Sequence, residues 1–99
     1  MSSIRLLQSE VCARYGATPS LVAAGLKVGV SLSLKEQVVP IHGEHRKSMD
    51  DTWSGWWIWA GEHSDALDFF HPLHVEHIRS WRPVVEKYLA LPVGWRFVI

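Results

Sequence analysis

The chain has 99 residues, and its ten basic and ten acidic side chains cancel. This length predicts one domain, residues 1–99, and the balanced charge provides no net field to attract nucleic acid or an anionic membrane. A single cysteine, Cys12, excludes an internal disulfide. The start of the sequence lacks the charged-then-apolar pattern of a signal peptide, and no apolar run approaches the roughly 20 residues of a membrane span, so we expect neither feature. We therefore expect a cytoplasmic protein with no nucleic-acid partner and no membrane partner.

The beginning of the chain is predicted to be helical. Apolar residues recur at helical spacing from Ile4 to Tyr15, and Ser2 or Ser3 can cap this helix with a side-chain oxygen. Thr18-Pro19 then has the order of a helix cap followed by a first helical residue. A second, short helix is therefore predicted over 18–25.

Two strands are predicted next. Apolar and polar residues alternate cleanly over 26–32, which predicts a strand with one buried face. The apolar residues of 38–41 indicate another strand, at an edge of the sheet because Pro40 cannot donate a ladder hydrogen bond. The polar stretch 42–51 is predicted to be a loop of about ten residues, and loops of this length are often functional.

A segment rich in tryptophan lies at the centre of the sequence. It holds three of the six tryptophans between Gly55 and Gly61, and a fourth, Trp53, comes just before it. Glycines tend to bound elements of this kind rather than sit inside them. The run 56–60 is apolar on both alternating faces, so we expect a central strand that is covered on both sides.

The remainder is predicted to be irregular over 62–70, helical over 74–81 and again from Pro83 to about Leu91, with a terminal strand over 95–99. Helices, strands, helices and a last strand make an α+β order. We predict a mainly antiparallel sheet of about four strands, with helices packed on one face.

The candidate functional residues surround the tryptophan segment. Tryptophan is favoured as an anchor in protein interfaces, and it stands here beside the predicted loop. We expect contacts with a protein partner at His42, His45, Arg46, Trp53 and Glu62. We expect no catalytic residues, no enzymatic activity and no cofactor, because no nucleophile and base occur in a recognisable pattern.

Two alternatives remain open. His74 and His77 are three residues apart on the predicted helix, and His42 and His45 share that spacing, so a metal-binding or enzymatic domain could use them. Surface histidines on a polar face explain the same pattern without a metal. The other alternative is a homodimeric interaction module that associates through exposed tryptophans.

The sequence also resembles a known family over roughly three quarters of its length. The most specific pieces are the Ser54-Gly55-Trp56 and Trp59-Ala60-Gly61-Glu62 blocks and the ending Leu91-Pro92 with Gly94-Trp95-Arg96-Phe97. The other shared pieces are Gly25-Leu26-Lys27-Val28-Gly29, Pro40-Ile41-His42-Gly43, Phe69-Phe70, Pro72-Leu73-His74-Val75, Pro83 and Tyr88-Leu89. In these residues the chain resembles immunity-protein family thirty-three.

The resemblance implies a small bacterial protein of the cytoplasm that binds and blocks a cognate toxin, in the manner of an antidote. It implies a toxin–antitoxin-like partnership between two proteins and supplies no catalytic residues. The expected mechanism is occlusion of the toxin's active site by a rigid surface.

Overall fold

The computed structural model describes residues 4–99, so the caps predicted at Ser2 and Ser3 lie outside the described residues. The first helix and the first two strands are α1 (Ile4–Arg14), β1 (Lys27–Ser31) and β2 (Ile41–His45). They are followed by β3 (Trp53–Ala60), β4 (Phe70–His74), α2 (Ile78–Trp81) and β5 (Arg96–Val98). Three 3₁₀ helices complete the described elements: Leu32–Lys35, Val75–His77 and Pro83–Tyr88.

The five strands form one mixed sheet in the order β4-β1-β3-β2-β5. β1 runs parallel to β3, whereas β4, β2 and β5 pair antiparallel to their neighbours. The α+β class is confirmed, but the prediction of a mainly antiparallel sheet of about four strands is wrong. β2 lies on the far side of β3, so β1 and β3 are direct neighbours in the sheet.

The strand that was not predicted is β4. It forms where the sequence predicted irregular structure followed by a helix. Pro72 lies inside it, opposite Gly29 of β1. A proline is tolerated here because β4 is an edge strand, and the missing backbone N–H can face away from the ladder. Edge position, a tertiary property, therefore decided the conformation of this segment.

The tryptophan segment is the central strand β3, as predicted, but only one of its faces is covered. Trp56 and Ile58 are fully buried, and Trp56 Nε1 donates to the carbonyl oxygen of Leu89 at 3.1 Å. Their core also includes residues from α1, α2 and the helix Pro83–Tyr88: Cys12, Ile78 and Val85. The helices thus pack on this face of the sheet, and the prediction that β3 is covered on both sides is wrong.

The helical predictions are only partly confirmed. α1 matches its prediction closely, whereas 18–25 contains no helix. The backbone N–H of Ser20 donates instead to the carbonyl oxygen of Ala90 at 2.7 Å, a tertiary bond that replaces a helical one. The predicted helix after Pro83 is 3₁₀ rather than α, with three-residue hydrogen bonds such as Val85 to Arg82. In the described part of the chain, every helix is too short or too polar to traverse a bilayer.

β2 also differs from its prediction. It begins at Ile41, after Pro40, and lies between β3 and β5 rather than at an edge. Ile41 exchanges two backbone hydrogen bonds with Ile99, at 2.7 and 2.9 Å. The strand extends through His45, so the first four residues of the predicted loop 42–51 belong to the sheet.

Candidate functional site

The face of the sheet turned away from the helices exposes a band of aromatic and charged side chains. Trp53, Trp57 and Trp59 project from β3 on this side and are half-buried. We call this surface the open face and define it by Lys27, Gly29, His42, Glu44, Arg46, Trp53, Trp57, Trp59, Phe70 and Arg96. Several of its strand residues lie directly opposite one another in the sheet, as Lys27 opposite Trp53, Gly29 opposite Trp57, His42 opposite Trp59 and Glu44 opposite Arg96.

The aromatic rings of the open face contact one another in a continuous series. Trp53 stacks on Trp57 with ring centroids 5.6 Å apart, and Trp57 meets the edge of Phe70 at 5.1 Å. Phe70 also meets Trp59 edge-on at 6.0 Å, and Trp59 stacks on His42 at 5.1 Å. Such contacts hold the rings in fixed orientations before any ligand arrives.

A concave trough of about 230 Å³ lies within this series. It is lined by Trp57, Trp59 and Phe70, with His63, Glu44 and Arg46 at its sides. His63 reaches it from the loop after β3, where its ring meets the edge of Trp59 at 5.2 Å. We call this cavity the aromatic trough. Its size suits one or two side chains of a partner rather than a large cofactor.

Gly29 makes this arrangement possible. The six-membered ring of Trp57 lies directly over it, so that a Cβ atom on residue 29 would be 2.3 Å from Cε3 of the indole. That distance is far inside van der Waals contact. The glycine of β1 therefore allows the central indole of the open face to lie flat on the sheet.

Charged groups stand beside the aromatic trough in a linked cluster. The Glu44 carboxylate, whose side chain is 19% exposed, lies 2.6 Å from Arg46 and 3.7 Å from Arg96. The side chains of Arg46 and Arg96 are 66% and 78% exposed, so one carboxylate serves two cations that still face solvent. Lys27 adds a third cation, with Nζ 5.3 Å from the centre of the Trp53 ring. With three cations and one carboxylate among these residues, this charged part of the open face has a net positive charge.

Three of the five residues predicted to contact a partner lie on the open face: His42, Arg46 and Trp53. Glu62 is exposed in the bend that follows β3. His45 lies on the other side of the sheet, 5% exposed and stacked on Trp56 at 4.5 Å.

Each ring nitrogen of the buried His45 lies next to a backbone carbonyl oxygen. Nδ1 lies 2.7 Å from the carbonyl oxygen of Leu91, and Nε2 lies 3.0 Å from that of Ser54. Whichever ring nitrogen carries a proton donates to the oxygen beside it. His45 therefore joins β2, β3 and the segment before β5 from within the core.

The sequence prediction missed Trp57 and Trp59, the tryptophans that line the trough, together with Glu44, His63, Phe70 and Arg96. Trp57 and Trp59 alternate with the core residues of β3, and this alternation was visible in the sequence. The prediction of a strand covered on both faces placed them in the core. The other four residues come from separate elements, and only the tertiary structure brings them to one surface.

The four histidines of the metal or enzymatic alternative do not meet at one place. His42 and His45 occupy opposite faces of β2, because an odd spacing along a strand reverses the side-chain direction. His74 is on β4, which is separated from β2 by two strands, or about 14 Å at ordinary strand spacing. His74 and His77 remain together, next to Glu76.

The fold and this surface define an α+β protein whose sheet carries helices on one side and an aromatic, partly basic face on the other. A family model, the Imm33-like domain, matches residues 7–99. The chain therefore belongs to the Imm33-like family, as the resemblance predicted. No curated protein and no solved structure matches it significantly.

Proposed function

We propose that this chain is a bacterial immunity protein that binds a cognate toxin through the open face and blocks it. Membership of the Imm33-like family supports the class of function. The observation that carries the choice of surface is the row of half-buried tryptophans on a sheet face that the helices leave uncovered. Uncovered aromatic surface of this kind is unfavourable in water and typical of protein-binding sites.

The open face has the composition of an interface centre. Tryptophan and arginine are the residue types most enriched where binding energy concentrates, and both stand here side by side. Because neighbouring rings already hold Trp57 and Trp59 in place, these two side chains would lose little conformational entropy when a partner binds. The aromatic trough offers the depth that a single anchoring side chain needs.

The charges specify the chemistry of the partner surface. Arg46 and Arg96 share one carboxylate, and both keep most of their surface in solvent. A toxin surface that places one or more carboxylates opposite these two guanidiniums would gain charge-assisted hydrogen bonds. Such complementary charges would mainly raise the association rate and set the orientation.

Inhibition would follow from steric occlusion, without a chemical step by the immunity protein. The open face is part of a hydrogen-bonded sheet backed by the core, so it would present a rigid surface to the toxin's active site. This mechanism needs no cofactor and no catalytic residue, and it would operate in the cytoplasm, where the toxin would have to be neutralised.

The first experiment identifies the partner and tests the surface together. The tag-free chain is immobilised, proteins from the native host are captured on it, and each captured protein is expressed in a heterologous host to ask whether it stops growth. Co-expression of the wild-type chain should restore growth. If none of the captured proteins is both toxic and neutralised by the chain, the immunity function is refuted.

Variants then separate the surface from the function. Trp59→Ala should weaken toxin binding by about 30-fold or more, corresponding to about 2 kcal/mol for an interface anchor. Leu6→Ala is the control, because Leu6 is exposed on α1, on the helix side of the sheet. If Trp59→Ala neutralises the toxin and binds it with wild-type affinity, the immunity function is retained but the open face is not the binding surface.

Self-association through the same surface is the second candidate, favoured by the apolar area that the open face exposes. Sedimentation velocity at micromolar concentration would show a dimer, and Trp59→Glu should convert it to a monomer while Leu6→Ala should not. A wild-type protein that stays monomeric at 100 µM would exclude this candidate.

A further inference from the structure

The edge strand β4 leads into a group of three exposed side chains that lies outside the aromatic trough. His74 ends β4, and Glu76 and His77 follow in the 3₁₀ helix Val75–His77. Their potential ligand atoms all lie within 4.8 Å of one another. We propose that His74, Glu76 and His77 form a binding site for a borderline divalent metal ion, with Zn²⁺ as the first candidate.

The backbone beneath these side chains is firmly held. The N–H of Val75 donates to the carbonyl oxygen of Leu26 at 2.9 Å, and the N–H of Glu76 donates to that of Ala24 at 3.1 Å. Val75 and Ile78 are buried on either side of Glu76 and His77. The main chain therefore directs the three side chains outward from a fixed turn, and only side-chain rotation is needed to close on an ion.

The distances are compatible with tetrahedral coordination after small rotations. Nε2 of His77 lies 3.8 Å from Oε1 of Glu76, and the two imidazole centroids are 6.1 Å apart. A Zn²⁺ ion with ligands at about 2.0–2.1 Å requires ligand atoms about 3.3 Å apart. Exposed side chains can make that adjustment freely, because little packs against them.

The donor set selects the class of metal. Two imidazole nitrogens and one carboxylate oxygen suit Zn²⁺, Cu²⁺ or Ni²⁺, whereas Mg²⁺ and Ca²⁺ prefer oxygen ligands throughout. Three protein ligands leave at least one coordination position for water or for a group from another molecule. The affinity of the site for these ions should follow the usual order for divalent transition metals, with Cu²⁺ bound more tightly than Zn²⁺.

Neighbouring cations are engaged elsewhere. Lys27 pairs with His74 across the β1–β4 ladder, but its Nζ lies over the Trp53 ring. Arg79 follows two residues after His77 and pairs with Glu86 at 3.1 Å. The site and its test are independent of the toxin-binding proposal, because neither Trp59 nor the trough contributes a ligand.

Isothermal titration of the tag-free full-length chain with ZnCl₂ at pH 7.5 tests the proposal. We expect one Zn²⁺ per chain with a Kd below about 100 µM, and no binding of Mg²⁺ at the same concentration. His74→Ala and His77→Ala should each weaken binding at least tenfold, and Glu76→Gln should weaken it severalfold.

His63→Ala is the matched control, since His63 is also an exposed histidine next to a carboxylate, 3.8 Å from Asp65. It should bind Zn²⁺ like the wild type. Long-range ¹H–¹⁵N spectra of the imidazoles should show Zn²⁺-dependent shifts for His74 and His77 only. Absence of stoichiometric Zn²⁺, or wild-type affinity in any of the three ligand variants, would overturn the three-ligand site.

Discussion

Substitution of Gly29 by alanine tests whether the open face is built as described. Gly29 is buried in β1 beneath the indole of Trp57, and it does not have a positive φ. A Cβ atom there would lie 2.3 Å from Cε3 and 2.5 Å from Cζ3 of that ring. The backbone at residue 29 can therefore accommodate alanine, but the Cβ atom of alanine would clash with the indole of Trp57.

The expected cost follows from what the indole can do. Relief of the contact requires a shift of about 1 Å, because carbon atoms in contact are about 3.5 Å apart. Trp53 stacks on Trp57, and Phe70 meets its edge, so the ring cannot move alone. Overpacking of this kind costs about 1–3 kcal/mol, and the entropic gain of replacing glycine offsets about 0.4–1 kcal/mol. We expect a net loss of about 1–2 kcal/mol in the free energy of unfolding.

Urea unfolding followed by circular dichroism measures this loss, with Gly25→Ala as the matched control. Gly25 has ordinary φ and nothing within 4 Å of a built-in Cβ, so its replacement should leave the midpoint unchanged or slightly raised. Thermal unfolding of Gly29→Ala should show a midpoint lower by about 4–16 °C.

A double-mutant cycle identifies the cause. In a Trp57→Leu background the added Cβ meets a smaller side chain, so the cost of Gly29→Ala should fall by about 1 kcal/mol. Equal midpoints for Gly29→Ala and Gly25→Ala would refute the close contact. An unchanged cost in the Trp57→Leu background would show that the backbone of β1, rather than the indole, is responsible.

Three further predictions concern stability and titration. His45→Ala should lower the free energy of unfolding by about 2–4 kcal/mol in urea, because a buried carbonyl oxygen loses the ring N–H that donates to it and a cavity opens beside Trp56. The open-face control His42→Ala should cost under about 1 kcal/mol, and equal costs would contradict the assigned faces. Burial raises the pKa of the Cys12 thiol, so the protonated thiol favours the folded state, and this contribution to stability is lost as the pH rises through the raised pKa. The urea midpoint of the wild type should therefore fall more between pH 8 and 10 than that of Cys12→Ala. Parallel pH profiles of the two proteins would contradict a raised pKa for Cys12. Hydrogen bonds from the Thr52 side chain and backbone lower the pKa of Asp50, with a smaller contribution from Lys27; Thr52→Val should raise that pKa in a carboxyl NMR titration, and an unchanged titration midpoint would show that the hydroxyl is not the main cause.

Local periodicity was sufficient to predict several elements from the sequence. Helical spacing from Ile4 placed α1, strict alternation placed β1 and β5, and the glycine-bounded tryptophan run placed β3. These signals are short-range, because each is carried by the residue types and spacing within one element. β1 departs from its expected single buried face, since Val28 to Ser31 are all buried. The family was also accessible, since its shared residues are distributed along most of the chain.

The residues of the candidate surface were harder to predict, for two reasons. His42 and His45 were placed in a loop, where their spacing suggests a common ligand, but in a strand an odd spacing sends them to opposite faces. Glu44 and Arg96 become neighbours only through the β2–β5 pairing, which joins residues far apart in sequence.

The sequence by itself determined that a tryptophan strand would lie at the centre of an α+β fold, because its apolar run and bounding glycines are local features. It did not determine which face of that strand would be covered, since both faces are apolar and alternation cannot distinguish them. Helix packing settled this point: the helices cover Trp56 and Ile58 and leave Trp57 and Trp59 at the surface. The parallel pairing of β1 with β3 and the edge position of β4 are likewise tertiary outcomes, because strand order depends on contacts that no local pattern encodes.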